Sequence, residues 1–212
     1  MIKGIIFDFD GVLVDSERVN IEAAAKTFSD LGVPLTEEEM RSIPGTSSQD
    51  FIPRFMRQRG VEDQNRHHEI FEINRKNYRA LWPNIVTLFP DERETVDALV
   101  AQGKALAIAT TNRLEVIEMF FERFALREKF SVVVTGENVT KRKPDPEVYE
   151  LAIRRLNIPK EDLIAVEDTA IGLKSAKLAG LRCVAFPNQY TRDEDFSAAD
   201  WQVTSFRDIL SL

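Results

Sequence analysis

From about Asp91 onward the sequence repeats one pattern: a short run that is apolar throughout, then an amphipathic stretch, then another apolar run. "ALAIAT", "FSVVVT", "LIAVED" and "RCVAF" are such runs, and Ile5-Ile6-Phe7 near the N-terminus is a fifth. A strand that alternates apolar and polar residues buries one face of a sheet, whereas a strand apolar at every position is buried on both. Helical segments separate the runs. One contains Val96, Leu99 and Val100 and ends at Gly103, one lies around Val116 to Phe124, one runs from Glu147 to Leu156, and one is "AIGLKSAKLAG". The pattern predicts an α/β fold, a doubly wound parallel sheet with helices on both faces.

The stretch from about Ser16 to Leu81 reads differently, as helix throughout. Val19, Ala23, Ala24, Phe28 and Leu31 recur at helical spacing until Gly32 and Pro34 stop them. Thr36 with Glu39 is a capping-box signature for a second helix. "IPGTSSQ" is a turn, Phe51, Ile52, Phe55 and Met56 mark a third helix ending at Gly60, and Ile70, Phe71, Ile73, Asn74 and Tyr78 mark a fourth, closed by Pro83. A four-helix module, residues 16–82, is thus expected inside a core made of residues 1–15 and 83–212. The crossings fall near Val14-Asp15-Ser16 and between Pro83 and Pro90.

The chain has 212 residues, 43% of them apolar and 30% charged, with a formal charge of −7. An acidic balance argues against a broad nucleic-acid or anionic-membrane surface. Cys183 is the one cysteine, which excludes an intrachain disulfide and fits a reducing compartment; its apolar neighbours make it a core residue rather than a nucleophile. No secretory signal or membrane span is visible, so the cytoplasm is the expected location. A monomer is the default expectation, although no residue derives it.

Ligands of open parallel sheets bind beyond the carboxyl ends of the strands. The first run leads into Asp8 and Asp10, which alternation along a strand would send from the same edge roughly 6–7 Å apart. The second ends in Thr110, Thr111 and Asn112, the third is followed by "TKRKPDP" with Lys143, and the fourth ends in Glu167 and Asp168. Each has a plain reading. Asp10-Gly11 suits a turn, Thr110 or Thr111 suits a helix cap, the basic run suits a solvated loop, and Glu167-Asp168 suits a helix N-terminus. Together they fit these readings poorly. Several carboxylates facing one crevice repel, and a hard cation with oxygen ligands relieves that repulsion. A lysine, a hydroxyl and free amides beside it suit a bound phosphate.

The set "DFDGVLVDSE", "AIATTN", "KRKPDP" and "VEDTAIGLKSAKLAG" resembles the four motifs of the haloacid dehalogenase superfamily. The resemblance is to its phosphatase and phosphomutase branch with a helical cap, and it covers essentially the whole chain. It implies that Asp8 is a nucleophile forming an aspartyl-phosphate and that Asp10 is the acid and base. It also implies that Mg²⁺ is held by Asp8, the Asp10 carbonyl and Asp168, with Glu167 supporting it directly or through water. Thr110, the Thr111 amide and Lys143 would hold phosphate oxygens, with Asn112 beside them. The inserted helices would form a lid whose substrate-facing residues are Asn20, the turn Gly45-Thr46-Ser47-Ser48, and Lys76. The implied activity is Mg²⁺-dependent hydrolysis of a small phosphorylated metabolite such as a sugar phosphate.

Two other activities are compatible with such residues. A β-phosphoglucomutase-type phosphomutase has the same core and a similar cap. Mutase-type relatives carry a cap histidine five residues beyond the aspartate matching Asp15, and a cap-turn arginine; Asn20 and Ser48 occupy these positions here. A phosphoacceptor signalling domain also combines acidic residues, Mg²⁺, a hydroxyl and a lysine on a doubly wound sheet. Asp10 and the large helical insertion argue against it.

Overall fold

β1 (Gly4–Phe7) lies in the middle of a six-stranded sheet, between β2 (Ala105–Ala109) and β4 (Leu163–Glu167). β3 (Val132–Val134) flanks β2, while β5 (Arg182–Ala185) and β6 (Trp201–Gln202) extend the other side. Every pairing is parallel. Five of these strands are the apolar runs of the sequence. The sixth is invisible there, because two residues are too short to show a period; Trp201 joins only by pairing with Val184. The computed structural model describes all 212 residues and divides them into two compact units, Met1–Asp15 with Leu88–Leu212, and Ser16–Thr87.

Successive residues of β1 show why both faces of the sheet need cover. Ile6 joins Ala107, Val134 and Ala165 in a buried cluster closed by α7 (Glu147–Leu156) and α8 (Ala170–Leu178). Phe7 points the other way, stacks on Phe206 at 5.6 Å between ring centroids and meets Phe130 edge-on at 6.3 Å. Burying each such side chain contributes about 1.5–3 kcal/mol. α5 (Glu92–Ala101) and α6 (Leu114–Phe124) complete the helices of this unit. Cys183 is fully buried in the Ile6 cluster, where burial pushes its thiol pKa up, as a core residue requires.

The strand order positions the site. From β1 the chain goes to β2 and β3 on one side, then crosses to β4 on the other, so a crevice opens at the carboxyl ends of β1 and β4. The register brings Phe7 level with both Ile108 and Val166. The residues that follow, Asp8, Ala109 and Glu167, therefore meet at one edge.

The unit Ser16–Thr87 contains α1 (Glu17–Asp30), α2 (Glu37–Arg41), α3 (Ser48–Gln58) and α4 (Gln64–Ile85) around an apolar core that includes Ala24, Phe28, Ile43, Phe51, Phe55 and Ile70. One expectation fails here: Pro83 does not close the last helix, which continues to Ile85. A proline removes one amide and crowds the carbonyl four residues back. Packing of α4 against α1 outweighs that local cost.

The capping box forms as expected. The Thr36 amide donates to Glu39 Oε2 at 2.8 Å, and the Glu39 amide donates to Thr36 Oγ1 at 3.2 Å. Glu39 also receives a fork from Arg59, at 2.6 Å on Oε1 and 2.9 Å on Oε2. That guanidinium, with help from the Thr36 amide and against the effect of burial, holds the Glu39 pKa down at about 2. A depressed carboxylate pKa contributes stability that is complete above the unfolded value and disappears as pH falls through the folded one. Glu39→Gln is expected to lower stability by about 1–3 kcal/mol at pH 7. The gap from wild type should shrink steadily below about pH 4.5. Urea denaturation of both proteins across that range checks it; a gap independent of pH would show that the ion pair is not its source.

Candidate active site

Lys143 is the hub of the crevice. Its Nζ donates to Asp8 Oδ1 and to Glu167 Oε1, both at 2.6 Å, and to the Ala109 carbonyl at 3.1 Å. The lysine is pre-placed by its own loop: the Glu147 carboxylate accepts from the amides of Thr140 and Lys141 and from the Thr140 hydroxyl. Burial opposes the Lys143 charge, but the neighbouring Asp8 and Glu167 outweigh it and raise the Lys143 pKa above the ordinary lysine value. Burial acts in the opposite sense on Glu167, pushing its carboxyl pKa above the ordinary carboxylate range although Lys143 pulls it down. The basic run is therefore not only a solvated loop, since its third residue is buried between two carboxylates.

Asp8, Glu167 and Asp168 bring their side-chain oxygens within 4.8 Å of one another. Two glycines make room for them. A Cβ at Gly172 would lie 2.0 Å from Glu167 Oε2, and one at Gly11 would lie 1.9 Å from Asp168 Oδ2. Gly11 also adopts a φ of +77°, which favours glycine on conformational grounds. Asp168 is steadied by Asn188, whose Nδ2 donates to Oδ2 at 2.9 Å. The helix-terminus reading of Glu167-Asp168 gives way to Thr169, whose hydroxyl accepts from the Gly172 amide and caps α8.

Asp10 stands outside that cluster. β1 ends at Phe7 rather than running on to Asp10, so the alternation argument for the two aspartates does not hold. The chain turns tightly after Phe9, whose carbonyl accepts from the amides of Leu13 and Val14. The Asp10 carboxylate then accepts from Asn112 Nδ2 at 3.0 Å.

At the end of β2, Thr110 is buried and its hydroxyl accepts from the Asn112 amide at 3.0 Å. It does not cap α6, which starts after Arg113 without a side-chain cap. The amides of Arg113 and Leu114 are also taken, by Asn112 Oδ1 and Glu137 Oε2. Gly136 packs against the Thr111 carbonyl, where a Cβ would be 2.4 Å away.

In the helical unit, Asn20 lies on α1, Gly45, Thr46 and Ser47 form the turn before α3, and Ser48 is the first residue of that helix. Glu17 links two of them: its Oε1 accepts from the Gly45 amide at 3.0 Å, and its Oε2 accepts from Asn20 Nδ2 at 3.4 Å. Lys76 shares a face of α4 with Arg75 and Arg79, around a shallow depression that Glu72 also lines.

Sequence reasoning did not single out Glu17, Glu147, Tyr149, Gly172 or Asn188. Tyr149 and Gly172 sit at helical positions that read as core, and Asn188 lies in a loop with no periodic signal.

The core residues fit a hard divalent cation. A single lysine faces three carboxylates, every side-chain donor is oxygen, and Glu167 Oε2 is buried without a hydrogen-bond partner. A buried carboxylate oxygen left unpaired is costly unless something else satisfies it.

Carboxylates and a lysine gathered at the switch point of a doubly wound sheet suit the chemistry of phosphoryl groups. The chain belongs to the haloacid dehalogenase-like hydrolase family, whose model matches residues 5–186. It is 35% identical over 217 residues to protein CbbY of Cereibacter sphaeroides, covering 99% of this chain and 94% of that one. To the phosphorylated carbohydrates phosphatase of Thermotoga maritima it is 32% identical over 182 residues, covering 84% and 82%. Among solved structures, a mutant of CbbY from Rhodobacter sphaeroides in complex with xylulose-(1,5)bisphosphate matches with a TM-score of 0.86 at 35% identity, covering 98% and 96%.

Proposed function

We propose that this protein is a Mg²⁺-dependent phosphatase of small phosphorylated metabolites, with sugar phosphates as the substrate class, acting through an aspartyl-phosphate at Asp8. The observation that carries the reading is Lys143, which bonds Asp8 and Glu167 at the same time and is enclosed with them. Phosphoryl transfer asks mainly for positioning and charge neutralisation. Lys143 supplies a fixed positive charge beside the attacking carboxylate, and its bond to Oδ1 leaves Asp8 Oδ2 to attack phosphorus. Asp8, Glu167 and Asp168 would hold Mg²⁺, with the Asp10 carbonyl. When bound, the ion neutralises charge on the phosphate oxygens and the carboxylates.

Asp10 takes the proton-transfer role because its carboxylate lies outside the three-carboxylate cluster. A carboxylate not committed to a cation can carry a proton. It would protonate the leaving oxygen, then accept the proton of the water that attacks the acyl phosphate. The Thr110 hydroxyl, the Thr111 amide and Asn112 would bind phosphate oxygens. The helical unit would serve as the cap and choose the substrate through Asn20, Gly45, Thr46, Ser47 and Lys76. The CbbY complex with a sugar bisphosphate and the phosphatase of phosphorylated carbohydrates support this substrate class.

Hydrolysis rather than phosphomutation is favoured by Asn20 and Ser48. Neither residue can carry positive charge near neutral pH, so neither matches the histidine and arginine of mutase-type relatives. A panel of phosphorylated metabolites with Mg²⁺ is expected to release inorganic phosphate, and chelation should stop the release. With β-glucose 1-phosphate primed by the bisphosphate, phosphorus NMR should show inorganic phosphate and no accumulating glucose 6-phosphate. Glucose 6-phosphate forming faster than phosphate would establish the mutase instead.

A further inference from the structure

The Tyr149 hydroxyl touches both groups that gather around Asp8. It donates to Glu167 Oε1, and it accepts from Lys143 Nζ at 3.4 Å. The same Nζ lies over the Tyr149 ring, 4.9 Å from its centroid. Tyr149 is fully buried and packs with Val148 and Ala152 of α7 in the core beneath the sheet. Its orientation is therefore imposed by the fold and does not wait for a ligand. The result is an asymmetric carboxylate: Glu167 Oε1 receives from both Lys143 and Tyr149, while Oε2 receives from nothing.

We infer that Tyr149 is a positioning residue, whose hydroxyl locks the rotation of the Glu167 carboxylate so that one oxygen is saturated and the other is kept for the cation. Two donors on Oε1 resist a turn that one donor would permit. The same hydroxyl and ring bound Lys143 Nζ on one side, while its short bonds run to Asp8 and Glu167 at 2.6 Å. The inference builds on the proposed phosphatase reading for its functional meaning, while the contacts themselves are independent of it.

Tyr149→Phe keeps the ring, its packing and its place under Nζ, and removes only the hydroxyl. Groups that hold a metal ligand in place are typically worth about 10–100-fold in metal affinity or activity. Calorimetric titration of the substrate-free protein with Mg²⁺ is expected to show affinity about tenfold weaker in the variant. In turnover, kcat should fall at low Mg²⁺ and recover as Mg²⁺ is raised, with KM for the phosphorylated substrate nearly unchanged. Val148→Ala, on the same helix, removes core packing without touching Glu167 and separates destabilisation from positioning. It should lower the melting temperature and leave Mg²⁺ affinity alone. Equal Mg²⁺ affinity in wild type and Tyr149→Phe, an equal loss in Val148→Ala, or no Mg²⁺ binding by the wild type would each overturn the inference. Wild type that binds Mg²⁺ but releases no phosphate from any substrate overturns the phosphatase reading instead, and the titrations still decide the role of Tyr149.

Discussion

Replacing Asp8 by asparagine is expected to reduce phosphate release by at least about four orders of magnitude while the protein stays folded. An amide oxygen is a poor nucleophile at phosphorus, and the aspartyl-phosphate cannot form without a carboxylate. The substitution is nearly isosteric. The asparagine oxygen can still accept from Lys143 where Asp8 Oδ1 does now, at 2.6 Å, and the Asp8 amide keeps its bond to the Val166 carbonyl. Melting curves should therefore stay close to wild type, and substrate should still bind. Turnover within tenfold of wild type in the folded variant would remove Asp8 from the mechanism.

Lys143→Met should have the second largest effect, on two separate readouts. Methionine fills similar space and carries no charge, so the carboxylates of Asp8 and Glu167 lose their only bonded lysine. Breaking one partner out of a buried ion pair typically costs about 3–5 kcal/mol. Glu167, already pushed toward its neutral form by burial, would limit the loss by taking up a proton. Without a fixed positive charge beside the attacking oxygen, kcat/KM should fall by about a thousandfold. Mg²⁺ should raise the melting temperature more in the variant than in wild type, because the ion would then neutralise charge that lysine neutralises now. Paired melting curves with and without Mg²⁺, together with steady-state kinetics, check both parts. A kcat/KM within tenfold of wild type would show that Lys143 is structural only.

How far the sequence alone reaches depends on whether a feature is periodic or relational. The parallel sheet was legible because Ile5-Ile6-Phe7, "ALAIA" and "LIAVE" are apolar at every position, which only burial on both faces explains. The Thr36–Glu39 capping box was legible because both partners lie within one helical turn. The end of α4 was not, since Pro83 sends a local stop signal that packing against α1 overrides. Nor was the end of β1, because the turn closed by the Phe9 carbonyl takes Asp10 out of the strand.

By itself the sequence determined which residues gather at the site: Asp8, Lys143, Glu167 and Asp168 stand in the order and at the strand ends that the family resemblance implies. Only the tertiary structure decided which of them touch. Lys143 reaches Asp8 across 135 positions and Glu167 across 24, and Tyr149 reaches Glu167 across 18. Such distances along the chain leave no periodic trace. They close because β1 and β4 are neighbours in the sheet with Phe7 level with Val166, and because α7 packs Tyr149 beneath them. Helical and strand periods follow from each residue's immediate neighbours, whereas the division of labour between the two oxygens of Glu167 follows from strand order and register.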